Sequence, residues 1–471
     1  MTTRHQTSSE GALYELVARG VKDTYFIKDA RESINPFDWR YKQWPSSIPE
    51  IRITQPLNQA RWGQRCEFLF DLPGDVLTEA TLLIDLPSWL PPEFLKHNNA
   101  SQTVDQHGFA YGYVSGIAYF LFEKIQIYQD KILLQEVSGD SLFAAQMAKN
   151  SWNQGFLQDA LTGVHDGSTL SIMRNAAPGQ LELPIPMMGC MLPGDTGFPL
   201  CGLTNQNFRL RLTLRSLENL VESTNPVLVK PCPWLQTFSQ TIRADRTLQT
   251  TTAAALPRVL IGQPLITLRT KQLYLSNEVR EEIANTDFEI PYIRYYDNYF
   301  NANALDYAPL SIAEQGTATI KRFLDAQFTV ERIITYFRNS TSFLTNQLWN
   351  WIPFTSSTQL VIAGQVREGP WTDLVWTQLS VDAQEERSPR GYISIMNWSR
   401  GWRVEDICPA IRQPTGGINF TTADRPILSL TLLDIPANPA LGYKQGYFTS
   451  CCESWALYTI KKGRGHQEFA N

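Results

Sequence analysis

The stretch Phe208-Arg209-Leu210-Arg211-Leu212-Thr213-Leu214-Arg215 sets the fold class. Its leucines occupy one face and Arg209, Arg211, Thr213 and Arg215 the other, the period of two that marks a half-buried strand. Ile427-Leu428-Ser429-Leu430-Thr431-Leu432 repeats that pattern far downstream. Around them, short runs of β-branched, aromatic and Leu residues alternate with polar ones and are punctuated by Pro, Gly, Asn and Asp. Further strands are expected at Arg65 to Leu72, Ala80 to Leu86, Phe122 to Tyr128, Ile266 to Leu275, Glu331 to Phe337, Leu360 to Val366, Tyr392 to Asn397 and Trp455 to Lys461. Helical pattern is scarce. It is confined to Gly11 to Arg19, where Leu13, Leu16 and Val17 form an apolar stripe, and Ser141 to Asn150. Asn277 to Thr286, dense in charge, reads as a turn or short helix between strands.

The chain has 471 residues, 43% hydrophobic and 18% charged, which is ample material for more than one core and unlike a disordered composition. A formal net charge of -5 argues against direct binding to nucleic acid, because a protein that coats phosphate is normally basic. No run approaches the roughly 18 uncharged apolar residues of a membrane helix. The opening Met1 to Ser8 is polar and lacks the apolar core of a secretory signal, so an unexported chain is expected. The seven cysteines (Cys66, Cys190, Cys201, Cys232, Cys408, Cys451 and Cys452) are odd in number and irregular in spacing. They signal neither a disulfide framework nor a zinc site, and buried, inert thiols are expected. Cys451 and Cys452 fall in a strand context, where neighbours point to opposite faces.

Composition changes near the middle. Asn225-Pro226, Pro231-Cys232-Pro233, the Thr-rich Thr247 to Thr252 and Ala253 to Ala255 read as a connection between domains. The expected layout is an N-terminal arm over 1–48, a first β-rich domain over 49–222, a linker over 223–255 and a second β-rich domain over 256–471. Each β-rich part has room for about eight strands with long loops, the size of one elaborated jelly roll. The halves also share an order. In each, a strand (Leu181 to Met187; Tyr392 to Asn397) enters a Pro/Gly/Cys-bearing loop and an alternating strand follows.

Catalytic patterns are not evident. None of His5, His97, His107, His165 and His466 has metal-ligand spacing or neighbours a nucleophile signature. His165-Asp166-Gly167 sits in a Gly/Ser/Asn-rich loop, and Gly463-Arg464-Gly465 reads as a flexible tail without a following helix. The carboxylate pairs Glu281-Glu282 and Glu385-Glu386 read as solvated loop charges. The N-x-S/T tripeptides at Asn99, Asn339, Asn397 and Asn419 would accept glycans only in a secreted protein.

Four segments carry a resemblance. The first is Leu16 to Ile27, with its Ala18-Arg19-Gly20-Val21-Lys22-Asp23 followed by an aromatic and aliphatic run. The second runs from Leu183-Pro184-Ile185-Pro186 through Pro193-Gly194 to Asn207-Phe208-Arg209-Leu210, and the third from Leu273-Tyr274-Leu275 through Arg280-Glu281-Glu282 to Phe288–Ile293. The fourth is Gln413-Pro414-Thr415-Gly416-Gly417-Ile418-Asn419-Phe420-Thr421-Thr422-Ala423-Asp424, and a closing strand holds Gly463 and Gly465. In order and spacing they resemble the major capsid proteins of nucleocytoplasmic large DNA viruses, the iridovirus-like double jelly-roll coat proteins. Trp39-Arg40-Tyr41-Lys42 stands where many members carry a Tyr-Arg-Arg-His-Thr run, which this chain lacks.

The resemblance implies an all-β chain of two tandem eight-stranded jelly rolls with long loops and a short N-terminal helical segment. It implies no enzyme, no cofactor and no metal. Three chains would form a homotrimer, a pseudo-hexagonal capsomer paving an icosahedral virion shell assembled in the host cytoplasm. Its partners would be neighbouring capsomers and minor capsid proteins, close to an inner lipid membrane. Leu13, Leu16, Val17, Tyr25 and Phe26 are the candidate assembly contacts. The loops Trp89 to Gly116 and Asn301 to Thr317 are expected at the outer end, and Trp349-Asn350-Trp351 and Trp398 to Trp402 are candidates for interfaces. The alternatives are a minor or vertex capsid protein, a glycan-binding spike, or a two-jelly-roll glycan hydrolase.

Overall fold

In the computed structural model, the alternation of Phe208–Leu214 becomes geometry: Phe208, Leu210, Leu212 and Leu214 are buried and Arg209 is exposed. Leu210 lies between Phe68 and Ile127 of the flanking strands, and Leu212 between Cys66 and Ile125. Each such burial contributes about 1.5–3 kcal/mol. The structure describes residues 47–95, 100–149, 159–187, 197–204, 206–244, 247–301, 319–339, 342, 344–352, 355–372, 375, 393–398, 416–423, 426–432 and 446–468. The chain falls into two compact units, Met1–Ser46 and Ser47–Asn471, and everything below concerns the second.

Eight strands build the first half: β1 (Ser47–Thr54), β2 (Arg65–Leu69), β3 (Val76–Asp85), β4 (Phe122–Gln129), β5 (Ile132–Val137), β6 (Leu181–Pro184), β7 (Phe208–Leu214) and β8 (Leu265–Leu275). Eight more build the second: β9 (Phe288–Asn301), β10 (Thr319–Phe323), β11 (Thr329–Asn339), β12 (Thr355–Ile362), β13 (Gln365–Thr372), β14 (Ile393–Asn397), β15 (Ile427–Leu432) and β16 (Gly446–Lys461). Sheet orders are β1-β8-β3-β6 and β2-β7-β4-β5 in the first half, and β9-β16-β11-β14 and β10-β15-β12-β13 in the second. The two halves are wound identically: the last strand enters between the first and third, and the seventh between the second and fourth. Two four-stranded antiparallel sheets connected this way are a jelly roll. The chain is a double jelly roll.

The repeated strand–loop–strand order seen in the sequence corresponds to the sixth and seventh strands of each roll. The domain boundaries differ from expectation. Leu265–Leu275, expected to open the second domain, pairs with both Ser47–Thr54 and Val76–Asp85 and so closes the first roll. Residues 223–255, expected as a linker, include the antiparallel pair Thr237–Ala244 and Thr247–Ala254, with Ala100–Asp105 paired on the other side of Thr237–Ala244. Threonine is β-branched and favours extended backbone, so a Thr-rich run forms a strand as readily as a linker. The connection between rolls is the helix Asn277–Asn285, which follows β8 and leads into β9.

Two local expectations also change. Leu360 to Val366 is not one strand. Ala363 (φ 53°) and Gly364 (φ 75°) both adopt left-handed backbone, and the chain turns back between Ile362 and Gln365. Gly463-Arg464-Gly465 is no loose tail either. Lys462 and Gly463 form a second left-handed turn, and Arg464–Glu468 pairs along the end of β16.

The second roll has its own core, which includes Val330, Ile333, Phe337, Met396, Phe448 and Cys452. The opposite face of the same sheet, with Ile334, Tyr336, Ile393, Ile395 and Cys451, belongs to the core of the first roll. A sheet covered on both faces needs apolar residues at successive positions, which is why β14 reads Ile-Ser-Ile-Met and is buried throughout.

Candidate functional site

One extensive surface of the second roll is occupied within the chain itself. Across the outer face of β9-β16-β11-β14, Asp297, Cys451, Ile334 and Ile395 form one row of directly paired residues. Roll 1 meets this face with β5 and with the connection that follows it. Tyr292 OH donates to Leu134 O at 3.4 Å, and Gln135 Nε2 donates to Ile293 O at 3.2 Å. Trp351 packs against Phe143 and Tyr336, with centroid separations of 5.3 and 4.7 Å. At the far end of the seam, Gln129 Nε2 donates to Gly465 O at 2.8 Å and accepts at Oε1 from Tyr458 OH at 2.9 Å.

The seam also holds buried ionisable groups. Asp140, in the helix Gly139–Lys149, accepts from Arg215 and, at 3.0 Å, from Arg338 Nη2 of roll 2. Burial pushes the Asp140 carboxyl up, but the two guanidinium groups outweigh it and hold the group below the usual carboxylate range. Asp297 has no such cation. Its Oδ2 accepts the Ser138 backbone N–H at 2.9 Å, and burial raises its pKa above the ordinary value. The Cys451 thiol beside it is raised well above its usual range, again by burial first. Cys66, inside roll 1, is pushed up to about 12 by burial.

A second clasp lies among the long connections. His165 Nδ1 accepts the Gly167 N–H at 3.1 Å, so Nε2 carries the proton and faces Glu222 Oε1 at 2.9 Å. Trp349 Nε1 of roll 2 donates to Glu222 Oε2 at 2.9 Å, and Asn346 Nδ2 donates to Glu218 O and Val221 O. His165-Asp166-Gly167 therefore helps to join the rolls, and Trp349 and Trp351 are spent inside the chain rather than between chains. Trp398 packs partly buried against the core of roll 2, while residues 399–402 lie outside the described residues.

The loop from Trp89 to Gly116 is more ordered than a solvated tip. Trp89 is fully buried, and Tyr111–Tyr113 pairs with Val221–Ser223. Asn98 and Asn99, residues 302–318, and the candidate contacts Leu13, Leu16, Val17, Tyr25 and Phe26 lie outside the described residues. Sequence reasoning missed Asp140, Arg215, Arg338 and Asp297, because no local spacing reports which charges meet across two domains. The nearest signal was Arg215, a charge that ends an otherwise core-forming strand.

Surfaces equivalent to the seam are partly exposed elsewhere on the described chain, although Thr81 and Leu83 within the roll 1 face are buried. On β1-β8-β3-β6 of roll 1, the row matching Asp297-Cys451-Ile334-Ile395 is Ile53, Arg269, Thr81 and Pro184. There Arg269 binds Glu79 at 2.9 Å and Glu182 at 2.8 Å, and on the same face Ile51 and Ile53 are 62 and 59% exposed. In roll 2, β13 is the counterpart of β5, and it leaves Val366 and Trp371 half exposed.

No protein-family model matches the chain, and no curated protein matches it in sequence. Solved structures do match. The PBCV-1 virus capsid structure aligns over 92% of this chain and 100% of its own, at a TM-score of 0.67 and 13% identity. The Faustovirus major capsid protein aligns over 96% of this chain and 97% of its own, at 0.62 and 11% identity. The mavirus major capsid protein aligns over 93% and 95%, at 0.50 and 10% identity. Together with the strand order, these likenesses give the chain the double jelly-roll fold carried by the major capsid proteins of large DNA viruses and their relatives.

Proposed function

We propose that this chain is a major capsid protein whose copies associate edge to edge into a ring of three chains and six rolls, a pseudo-hexagonal tile of an icosahedral virion shell. One observation carries the reading. The seam inside the chain joins the β5 side of roll 1 to the outer β9-β16-β11-β14 face of roll 2, while among the described residues the β1 side of the equivalent roll 1 face and the equivalent β13 edge of roll 2 are exposed. Two exposed surfaces that match the two halves of an existing contact invite a head-to-tail repeat of it, and such a contact closes into a ring when the rotation permits. The names of the similar structures support the same role, which is structural rather than catalytic. The division into rolls would fall at the helix Asn277–Asn285. Leu13, Leu16, Val17, Tyr25 and Phe26 would serve contacts with minor capsid proteins or neighbouring tiles near an inner membrane.

The test is the mass of the purified full chain in solution. A trimer is expected, and the double variant Ile51→Glu/Ile53→Glu should give monomers with unchanged far-ultraviolet circular dichroism. A wild-type chain that remains monomeric up to high concentration defeats the reading.

A further inference from the structure

Resting on the self-assembly reading, we infer that the long connection between β7 and β8, residues 215–264, is a second contact surface whose occupant is the next copy of this chain in the ring. This connection presents Val227, Leu235, Leu248, Val259 and Leu260 to solvent, with Val259 at 93% exposure. Single exposed aliphatics are ordinary, but several on one connection form a patch that a partner covers.

Two cations of the connection are paired within the chain. Arg258 binds Glu218 and lies over the Trp234 ring at 5.8 Å, and Lys230 Nζ donates to Asn219 Oδ1 at 2.7 Å and to Asn346 Oδ1 at 3.1 Å.

Strand Thr247–Ala254 points the same way. It forms the outer edge of its sheet, is exposed at every position except the half-buried Ala253, and contains neither a charge nor a proline. Exposed edges that stay unpaired usually carry such guards. The other exposed edge strands described here do: Arg52 in β1, Glu67 in β2, Pro184 in β6, Arg322 in β10 and Pro370 in β13. An unguarded edge in a chain that guards its others is suited to being covered in the working assembly.

Continuity identifies the occupant. Trp62 N donates to Gln263 Oε1 and Trp62 Nε1 donates to Gly262 O, both at 3.0 Å. These bonds stitch the β1–β2 connection, with its exposed Leu57, to the end of the 215–264 connection and to the exposed Leu265. The exposed Val259, Leu260 and Leu265 thus lie on a segment bonded to the connection that follows β1 and carries Leu57. A copy seated on the exposed β1 side of roll 1 adjoins this segment.

The experiment compares the wild-type full chain with Leu235→Glu/Val259→Glu and with Ile51→Glu/Ile53→Glu. Association is followed by sedimentation over a dilution series, and amide hydrogen exchange of residues 247–254 is followed in associated and dissociated states. The expectation is that Leu235→Glu/Val259→Glu weakens association about 30-fold or more with an unchanged melting temperature of the dissociated chain. Amides of 247–254 should exchange about tenfold more slowly in the wild-type assembly. If association and exchange are unaffected while Ile51→Glu/Ile53→Glu still disrupts the ring, this inference fails and the ring reading stands. Protection in the monomer of the amides of 247–254 that point away from Thr237–Ala244 would assign the edge's cover to the chain itself and overturn the inference. A wild-type chain that never associates overturns both.

Discussion

Asp297 and Asp140 sit at the same seam and titrate in opposite senses. The folded pKa of Asp297 is raised, so the fold holds a proton that the unfolded chain has released above the ordinary aspartate value of about 3.9. Stability from this group is therefore greatest in acid and declines as pH rises through the folded value. Asp140 is the reverse: its folded pKa is lowered, so its contribution is present above the ordinary range and is lost as pH falls through the folded value. Asp297→Asn should flatten the fall in urea midpoint that sets in as pH rises above the ordinary aspartate value of about 3.9, and an unchanged slope would move that titration to another residue. Asp140→Asn should cost about 3–5 kcal/mol at neutral pH, read from the same denaturation curves, because it leaves Arg215 and Arg338 buried without their counter-charge. Gly465 sets a steric limit nearby. A Cβ there would lie 2.0 Å from Tyr458 Oη and 2.8 Å from Leu203 Cδ2. Gly465→Ala should lower stability by about 1–3 kcal/mol in thermal denaturation.

At the scale of single elements, β16 shows how one strand serves two cores. Cys451 faces the seam and Cys452 the interior of roll 2. That opposition was readable in advance, because adjacent residues of a strand point apart. So was the alternation of β7, since its pattern is local and complete within eight residues. The turn after Ile362 was not readable: Ala363-Gly364 has no Asn or Asp to announce left-handed backbone, and the apolar run continues across it. Ala363 is correspondingly ill-suited to its place, because a left-handed residue with a Cβ costs about 1–2 kcal/mol. Ala363→Asn should recover about 0.5–1 kcal/mol in equilibrium unfolding, with β12 and β13 unchanged.

Over the whole molecule, the sequence revealed two rolls but misplaced the division between them. The eighth strand of a jelly roll lies beside the first and third, and Leu265–Leu275 carries no local mark of that distant pairing. A Pro-rich and Thr-rich passage came first and looked like a linker, although it is a folded part of roll 1. The seam charges were hidden for the same reason, since their partners are far apart in the chain. Because the outer face of the second roll's sheet is part of the first roll's core, the two should unfold together. Calorimetry of the full chain should show one main transition, and residues 288–471 expressed alone should aggregate through Ile334, Tyr336, Ile393 and Ile395.

The insertion of β8 between β1 and β3 also has a consequence in time. About 180 residues separate Asp85 from Leu265. At roughly 5–20 residues per second of synthesis, a nascent chain waits on the order of 10–40 s with the inner edges of β1 and β3 unsatisfied. Only when Leu265–Leu275 emerges can the first roll close. The strand order therefore acts as a clock, and it makes that interval the stage at which the chain most needs shelter from other unpaired strands.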